Sequence, residues 1–127
     1  EKLHIDRDKM LRLAAKDGDD GRCVALIQKG ASVNKVGGSH RHTAMHYAAR
    51  NGHVRCMDAL IKCKADPNIQ NGDGRTALHW AAANGTASAV DLLLRAGANQ
   101  CIRNRDGMTP LELADHFNNS QTIAVLR

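Results

Sequence analysis

The stretch Thr-Ala-Leu-His-Trp-Ala-Ala at residues 76–82 is the most informative part of the chain. A close copy, Thr-Ala-Met-His-Tyr-Ala-Ala, occupies residues 43–49, and a more divergent one, Thr-Pro-Leu-Glu-Leu-Ala-Asp, occupies residues 109–115. The copies open at Thr43, Thr76 and Thr109, so both intervals are 33 residues long. A fixed period of this length is typical of stacked structural repeats. Because one such repeat has no core of its own, it buries a face against each neighbour.

Each copy predicts a short helix followed by a longer one. The hydroxyl of Thr43 can accept a backbone N–H and so cap a helix that begins at Ala44. Asn51-Gly52, repeated as Asn84-Gly85, favours the end of that helix because glycine adopts a left-handed backbone without strain. The next segment carries apolar or small residues at offsets of three, six and seven, which share one helical face. They are Val54, Met57, Leu60 and Ile61, and one period later Ala87, Val90, Leu93 and Leu94.

These copies resemble the ankyrin-repeat family over about residues 6–127. The resemblance is most specific from Gly74 to Ala82, at Asn84-Gly85, at Leu92–Leu94 and at Gly97-Ala98. It implies an all-α solenoid of about four helix-turn-helix units with β-hairpin-like connectors. We expect one domain over residues 1–127, with units at about 6–37, 38–70, 71–103 and 104–127 and the outer two as caps. Because the chain begins with Glu1, we also expect it to be a fragment of a longer protein.

The chain departs from the family pattern in side-chain type and in linker length. Other residues stand where the family usually has glycine, proline or histidine; these are Arg41, Ala44, Lys64, Ala77 and Glu112. The linker from Asn34 to Thr43 is also one residue longer than the linker from Asn68 to Thr76. A looser or bulged hairpin tip is therefore expected in the first linker.

The resemblance implies roles for individual residues. Thr43, Thr76 and Thr109 are expected to be structural, and His46 and His79 to hydrogen-bond backbone and tie neighbouring hairpins together. The usual contact surface is a concave groove made of hairpin tips and the exposed side of each first helix. By position it contains Lys16, Asp17, Ser39, His40, His42, Arg50, Asn51, Asp73, Arg75, Ala83, Asn84, Arg103, Arg105, Asp106, Met108, His116 and Phe117.

The chemistry of that surface favours an acidic partner. Its four arginines can bind carboxylates through two parallel hydrogen bonds. We therefore expect a protein partner, docked as an acidic, partly extended segment; the alternative is that these arginines are simply solvated. Two further functions remain open: nucleic-acid or anionic-lipid binding by a basic groove, and a regulatory or structural part of an enzyme or channel. The net charge of +5, without a run of like charges, marks no class of partner by itself.

Two aromatic positions admit more than one interpretation. Tyr47, Trp80 and Leu113 are equivalent by the period, and such a series could stack nucleic-acid bases, although packing between repeats is favoured. Phe117 occupies the place held by Asn51 and Asn84 in the earlier units. An exposed phenylalanine there would be a contact anchor, unless other parts of the protein cover it.

No catalytic residues, cofactor or metal site are predicted. His40, His42 and His46, with His53 and Cys56 nearby, have the residue types of a zinc site. However, His46 already has a structural role in the repeat, and His40 and His42 are expected to face solvent or a partner from the hairpin tip. Neither Ser32 nor Ser39 has a recognisable base and acid, and no glycine-rich phosphate loop occurs.

One modification is suggested by position. Asn34 and Asn68 each lie eight residues after a leucine. This placement resembles that of the asparagines hydroxylated in some ankyrin proteins, so both are candidates for hydroxylation.

The cysteines and the hydropathy bear on the compartment. The four cysteines, Cys23, Cys56, Cys63 and Cys101, form no Cys-x-x-Cys pair and are expected to be reduced thiols of an intracellular protein, cytoplasmic or nuclear. No apolar run approaches the ~18 residues of a transmembrane helix. We expect a monomeric module.

Overall fold

A computed structural model describes residues 6–127, and over that range the chain forms eight α-helices in four consecutive pairs. The helices are α1 (Arg7–Asp17), α2 (Asp20–Gln28), α3 (Ala44–Arg50), α4 (Val54–Lys62), α5 (Ala77–Asn84), α6 (Ala87–Arg95), α7 (Pro110–His116) and α8 (Ser120–Leu126). No β-strand occurs in the described range, where one isolated antiparallel bridge joins Gly37 and His42. The predicted all-α repeat solenoid is confirmed.

The helices stack in two layers. The first helices pack in the order α1, α3, α5, α7, and the second helices in the order α2, α4, α6, α8. Four alanines one period apart, Ala15, Ala48, Ala81 and Ala114, are completely buried. Because alanine has only a methyl side chain, the helix backbones can approach closely along this column. The layers therefore depend on contacts between units, as expected where stability comes from nearest neighbours.

The repeated threonines cap the first helices. The hydroxyls of Thr43 and Thr76 accept the backbone N–H groups of His46 and His79 at 3.3 and 3.4 Å. In return, Nδ1 of each histidine accepts the backbone N–H of its threonine at 3.0 Å. These reciprocal bonds form a capping box, which satisfies N–H groups that the start of a helix would otherwise leave free.

Two of the departures from the family pattern fall where the backbone is left-handed. Arg41 has φ 56° and Lys64 has φ 73°, values that glycine adopts more readily than a residue with a Cβ. Asn118 shares this conformation with φ 57°, and Gly85 holds the equivalent place in the preceding unit with φ 72°. The residues at 41 and 64 thus keep the required backbone at some conformational cost.

The connectors use asparagine to close their turns. The side-chain oxygen of Asn71 accepts two backbone N–H groups at 2.9 Å, and the oxygen of Asn104 accepts the equivalent two at 3.0 Å. Gly38 stands at the corresponding position in the first connector and cannot make these bonds. There, Gly37 and His42 exchange two backbone hydrogen bonds of 3.0 and 3.1 Å. The extra residue is thus accommodated in a wider turn, which these two bonds close at its base.

Candidate partner-binding groove

The repeated histidines fix the hairpins that form one wall of the groove. Nε2 of His46 bonds the carbonyl oxygen of Arg75 at 2.9 Å, and Nε2 of His79 bonds that of Met108 at 2.9 Å. Because Nδ1 of each ring accepts a backbone N–H, Nε2 carries the proton and donates it. Burial lowers the pKa of His46 to about 4 and lowers the pKa of His79 below its usual value. Both rings are therefore neutral ties between neighbouring hairpins at physiological pH.

A cavity of about 420 Å³ opens in the groove between α5 and α7, and we call it the Trp80 cavity. It brings together most of the predicted contact residues of the third and fourth units. Its lining consists of Arg75, His79, Trp80, Ala83, Asn84, Asp106, Met108, Leu113, His116 and Phe117. Its size lies at the small end of the range of ligand pockets in proteins, so it suits one large side chain.

The four groove arginines fall into two pairs with different surroundings. Arg103 lies 3.1 Å from a carboxylate oxygen of Glu112, and Arg105 lies 3.6 Å from one of Asp73. No carboxylate among residues 6–127 lies within ion-pair distance of Arg50 or Arg75. The groove arginines without an acidic partner therefore lie in the second and third units.

Both unpaired guanidinium groups lie against the same indole ring. The guanidinium carbon of Arg75 is 4.8 Å from the ring centre of Trp80, and that of Arg50 is 5.5 Å away. The predicted packing between repeats is only part of the role of Trp80, because its half-buried ring packs on the core and also lines the groove. The period alone could not reveal two arginines from neighbouring units on one ring.

Two predicted contact residues also tie neighbouring units together. The side-chain NH₂ of Asn51 donates to the carbonyl oxygen of Lys16 at 2.9 Å, and that of Asn84 donates to the carbonyl oxygen of Arg50 at 2.6 Å. Each bond joins one unit to the unit before it. The end of a helix supplies a carbonyl that lacks a partner within the helix, which explains why asparagine recurs at this position.

Phe117 holds this place in the fourth unit and cannot donate such a bond. This hydrogen bond to the preceding unit, which we call the tie, is made two residues later. There the NH₂ of Asn119 donates to the carbonyl oxygens of Ala82 and Ala83 at 2.8 and 3.1 Å. Phe117 itself is 52% exposed and contacts His116 edge-to-face, with ring centres 4.9 Å apart. The shift of the tie from residue 117 to residue 119 leaves the phenylalanine ring available on the groove surface.

The expectation that His42 faces solvent or a partner is wrong. Its side chain is 5% exposed and folds back onto Tyr47 and Trp80, with ring centres 5.0 and 6.2 Å apart. A polar contact also holds the ring inward, because the NH₂ of Asn71 lies 3.3 Å from Nδ1 of His42. Burial, followed by the nearby His40, lowers the pKa of His42.

The remaining predicted contact residues lie on the groove surface. Six are exposed on hairpin tips or first helices, and Met108 and Ala83 are half-buried beside the Trp80 cavity. The exposed ones are Lys16, Asp17, Ser39, His40, Asp106 and His116.

A larger depression of about 640 Å³ lies between α2, α4 and α6, outside the groove. Its cations, Arg55 and Lys62, lie together with the carboxylates of Asp20 and Asp58. Lys62 and Asp58 are 3.0 Å apart. This depression therefore carries no excess of positive charge, unlike the groove.

In the candidate zinc site of His40, His42 and His46, the ring of His46 has no free nitrogen that could bind a metal ion. Both ring nitrogens of His46 are held by backbone groups, and no group of three or more His, Cys, Asp or Glu side chains in residues 6–127 could hold a metal.

The candidate hydroxylation residues are hydrogen-bonded through their side chains. The side-chain oxygens of Asn34 and Asn68 accept the backbone N–H groups of Asp66 and Asn99 at 2.8 and 2.6 Å. Each bond joins one connector to the next. Hydroxylation of these two residues stays a prediction.

The cysteines are free thiols. Burial raises the pKa of Cys23 to about 12 and also raises the pKa of Cys56, so both stay protonated. Cys63 is half-buried and Cys101 is exposed.

As for membrane insertion, every helix among residues 6–127 is too short or too polar to cross a bilayer.

Several palmitoyltransferases contain a segment similar to part of this chain. Palmitoyltransferase ZDHHC17 of Homo sapiens is 42% identical over 48 residues, palmitoyltransferase Hip14 of Drosophila melanogaster is 39% identical over 49 residues, and palmitoyltransferase ZDHHC13 of Homo sapiens is 40% identical over 48 residues. These segments cover 38–39% of this chain. They amount to 8% of the length of each relative.

The family model for ankyrin repeats (three copies) matches residues 2–71 and, in a second match, residues 55–127. Together the two matches span nearly the whole chain. Ankyrin repeats are protein-interaction modules without chemistry of their own. With its period of 33 residues, its paired helices and its histidine-tied hairpins, this chain belongs to the ankyrin-repeat family.

Proposed function

We propose that this module docks an acidic, partly extended segment of a partner protein in its concave groove. The observation that carries the proposal is the pair Arg50 and Arg75, which lie on the ring of Trp80 and have no carboxylate partner among residues 6–127. The neighbouring Arg103 and Arg105 already have acidic partners. The groove therefore offers two free cations at its centre.

The energetics favour a carboxylate at this point. A cation–π contact at a partly exposed site contributes only about 0.5–1 kcal/mol, and two guanidinium groups beside one ring also repel each other. A carboxylate would relieve that repulsion and can accept paired hydrogen bonds from a guanidinium. Because the ring and the hairpins are held by the scaffold, little side-chain entropy would be lost on binding.

A display library of random peptides tests the proposal. Peptides selected on the wild-type module should be enriched in Asp and Glu, and R50A/R75A should bind them at least about tenfold more weakly, the equivalent of ~1.4 kcal/mol. The matched control R22A/R55A removes the same charge from exposed side chains of α2 and α4, outside the groove. It should bind as the wild type does. Selected peptides without acidic residues, or equal losses in both variants, would contradict the proposal.

Nucleic-acid binding is the less supported alternative. Asp73 and Asp106 lie among the groove arginines. They would repel a phosphate backbone, which carries a charge at every nucleotide, more than a peptide segment with one or two carboxylates placed at Arg50 and Arg75. Single-stranded oligonucleotides should therefore bind weakly, with an affinity that falls steeply with salt. Acidic peptides should retain their preference for wild type over R50A/R75A at physiological ionic strength.

A second candidate function concerns a larger parent protein. The similarity to segments of palmitoyltransferases favours a module that presents a bound protein to an acyl-transferring parent. Here the groove would choose the substrate and a separate domain would supply the chemistry. The test is palmitoylation of a protein fused to a selected acidic peptide, by the intact parent with and without R50A/R75A. Equal palmitoylation by both forms would remove this candidate.

A further inference from the structure

The exposed ring of Phe117 lies outside the packed core of the repeat stack. The earlier units use this place for the tie made by Asn51 and Asn84, and in the fourth unit Asn119 makes that tie. A large apolar side chain that is 52% exposed gains little from folding. Its presence is explained if the ring is covered when a partner binds.

The ring forms one wall of the Trp80 cavity, together with Met108 and Leu113. Trp80 adds a further apolar surface, and Arg75 lies at the same cavity. An apolar slot next to a free cation selects for an apolar side chain with a carboxylate nearby. Aromatic walls around a central pocket are where binding energy at protein interfaces concentrates.

The hydrogen-bonding balance of the site also points to a missing acceptor. Nε1 of Trp80 is buried and has no partner among the described residues, and the two guanidinium groups beside the ring offer only donors. An unsatisfied buried donor is unfavourable, and it is relieved when an acceptor reaches it. Small movements of Arg50 and Arg75 would bring their guanidinium groups to the two oxygens of an incoming carboxylate.

We propose that the bound segment carries a large apolar side chain that inserts between Trp80 and Phe117, with an Asp or Glu close to it in sequence that reaches Arg50 and Arg75. The inference rests on the proposed function and makes it more specific. Acidity alone does not define the partner, because the apolar side chain fixes the register of the segment in the groove.

The test uses acidic peptides selected from the random library and synthesised in two forms, with the recurrent apolar residue intact or changed to Ala. Phe117→Asn restores the residue of the earlier units and leaves Asn119 to make the tie. It should weaken the intact peptide about tenfold to hundredfold, as expected for loss of a pocket contact, and leave the Ala form unchanged. Trp80→Phe keeps an aromatic surface but removes the N–H, and should weaken the acidic peptide about twofold to tenfold.

An independent readout comes from the single tryptophan of the chain. Its indole N–H gives one resonance in a ¹H–¹⁵N spectrum, which should move downfield when the intact peptide binds. Circular dichroism should show that Phe117→Asn remains folded.

The outcomes separate the two proposals. If Phe117→Asn binds the intact peptide as well as wild type while R50A/R75A does not, the apolar anchor is overturned and acidic docking stands. If R50A/R75A also binds normally, acidic docking falls and the anchor falls with it. A selection that enriches Asp and Glu without an apolar residue at a constant spacing would also overturn the anchor.

Discussion

The two central capping boxes differ from the terminal one in the second contact that the fourth residue of the motif makes. His46 and His79 complete a capping box and also bond the next hairpin through Nε2. Glu112 completes the capping box of Thr109. It also forms an ion pair with Arg103 at 3.1 Å instead of bonding a further hairpin. The histidines are almost fully buried, whereas Glu112 is exposed.

This difference separates two structural roles of the repeat motif, which are to cap a helix and to join neighbouring hairpins. Starting a helix needs only an acceptor at the fourth position of the motif, which either histidine or glutamate supplies. Joining one hairpin to the next needs a second ring nitrogen that can donate. Histidine is therefore the residue that couples units, and the central copies should be the most sensitive to its loss.

The largest expected effect comes from removing that coupling. His46→Ala would leave the Thr43 N–H and the Arg75 carbonyl without their buried partners and would open a void, so we expect a loss of about 3–5 kcal/mol in unfolding free energy. Glu112→Ala should cost clearly less because its site is open to water. Chemical denaturation of both variants measures the difference. Equal losses would show that capping, not coupling, is the main role of the fourth position.

Acid should act on the two regions in different pH ranges. The folded pKa of His46 is about 4, below its ordinary value of 6.5, so the unfolded chain takes up the proton first. Stability should therefore fall as pH decreases from about 6.5 to about 4, by on the order of 3 kcal/mol for this residue.

The pKa of Glu112 is lowered from 4.5 by the hydrogen bonds from Thr109, so its contribution should be lost only at lower pH. Denaturation midpoints across this range test the prediction. His46→Gln should flatten the upper part of the profile, and Glu112→Gln should leave that part unchanged. A profile of the variant at 46 parallel to wild type would contradict the assignment.

The smallest effect concerns the displaced tie of the fourth unit. Asn119→Ala removes the bonds to Ala82 and Ala83, and we expect a loss of about 1 kcal/mol. Phe117→Asn, by contrast, should leave stability nearly unchanged. Thermal unfolding of the two variants compares the positions directly, and a larger loss at 117 than at 119 would mean that Phe117 has a structural role after all.

The architecture was predictable because the residues that repeat every 33 positions each have a single local structural role. Thr43 and Thr76 cap helices, and glycine or asparagine at the turns tolerates a left-handed backbone. The buried alanines could also be found from their spacing. Each of these signals acts within one unit or at a constant offset.

The site was less predictable because it depends on pairs from different units. The family resemblance placed Asn51 on the contact surface, but could not show that its side chain reaches back to Lys16. The burial of His42 was missed because its ring contacts Tyr47 and, in the next unit, Trp80 and Asn71. The pairing of Arg103 and Arg105 with acids likewise depends on distances that a single sequence does not contain.

The relocated asparagine has a use beyond this protein. Because Asn119 donates to the preceding unit, we expect that the residue two places earlier can be varied without loss of stability. Asparagine introduced at Thr86, one period earlier, should in the same way release Asn84. Designers could then vary that side chain to give the module new binding preferences.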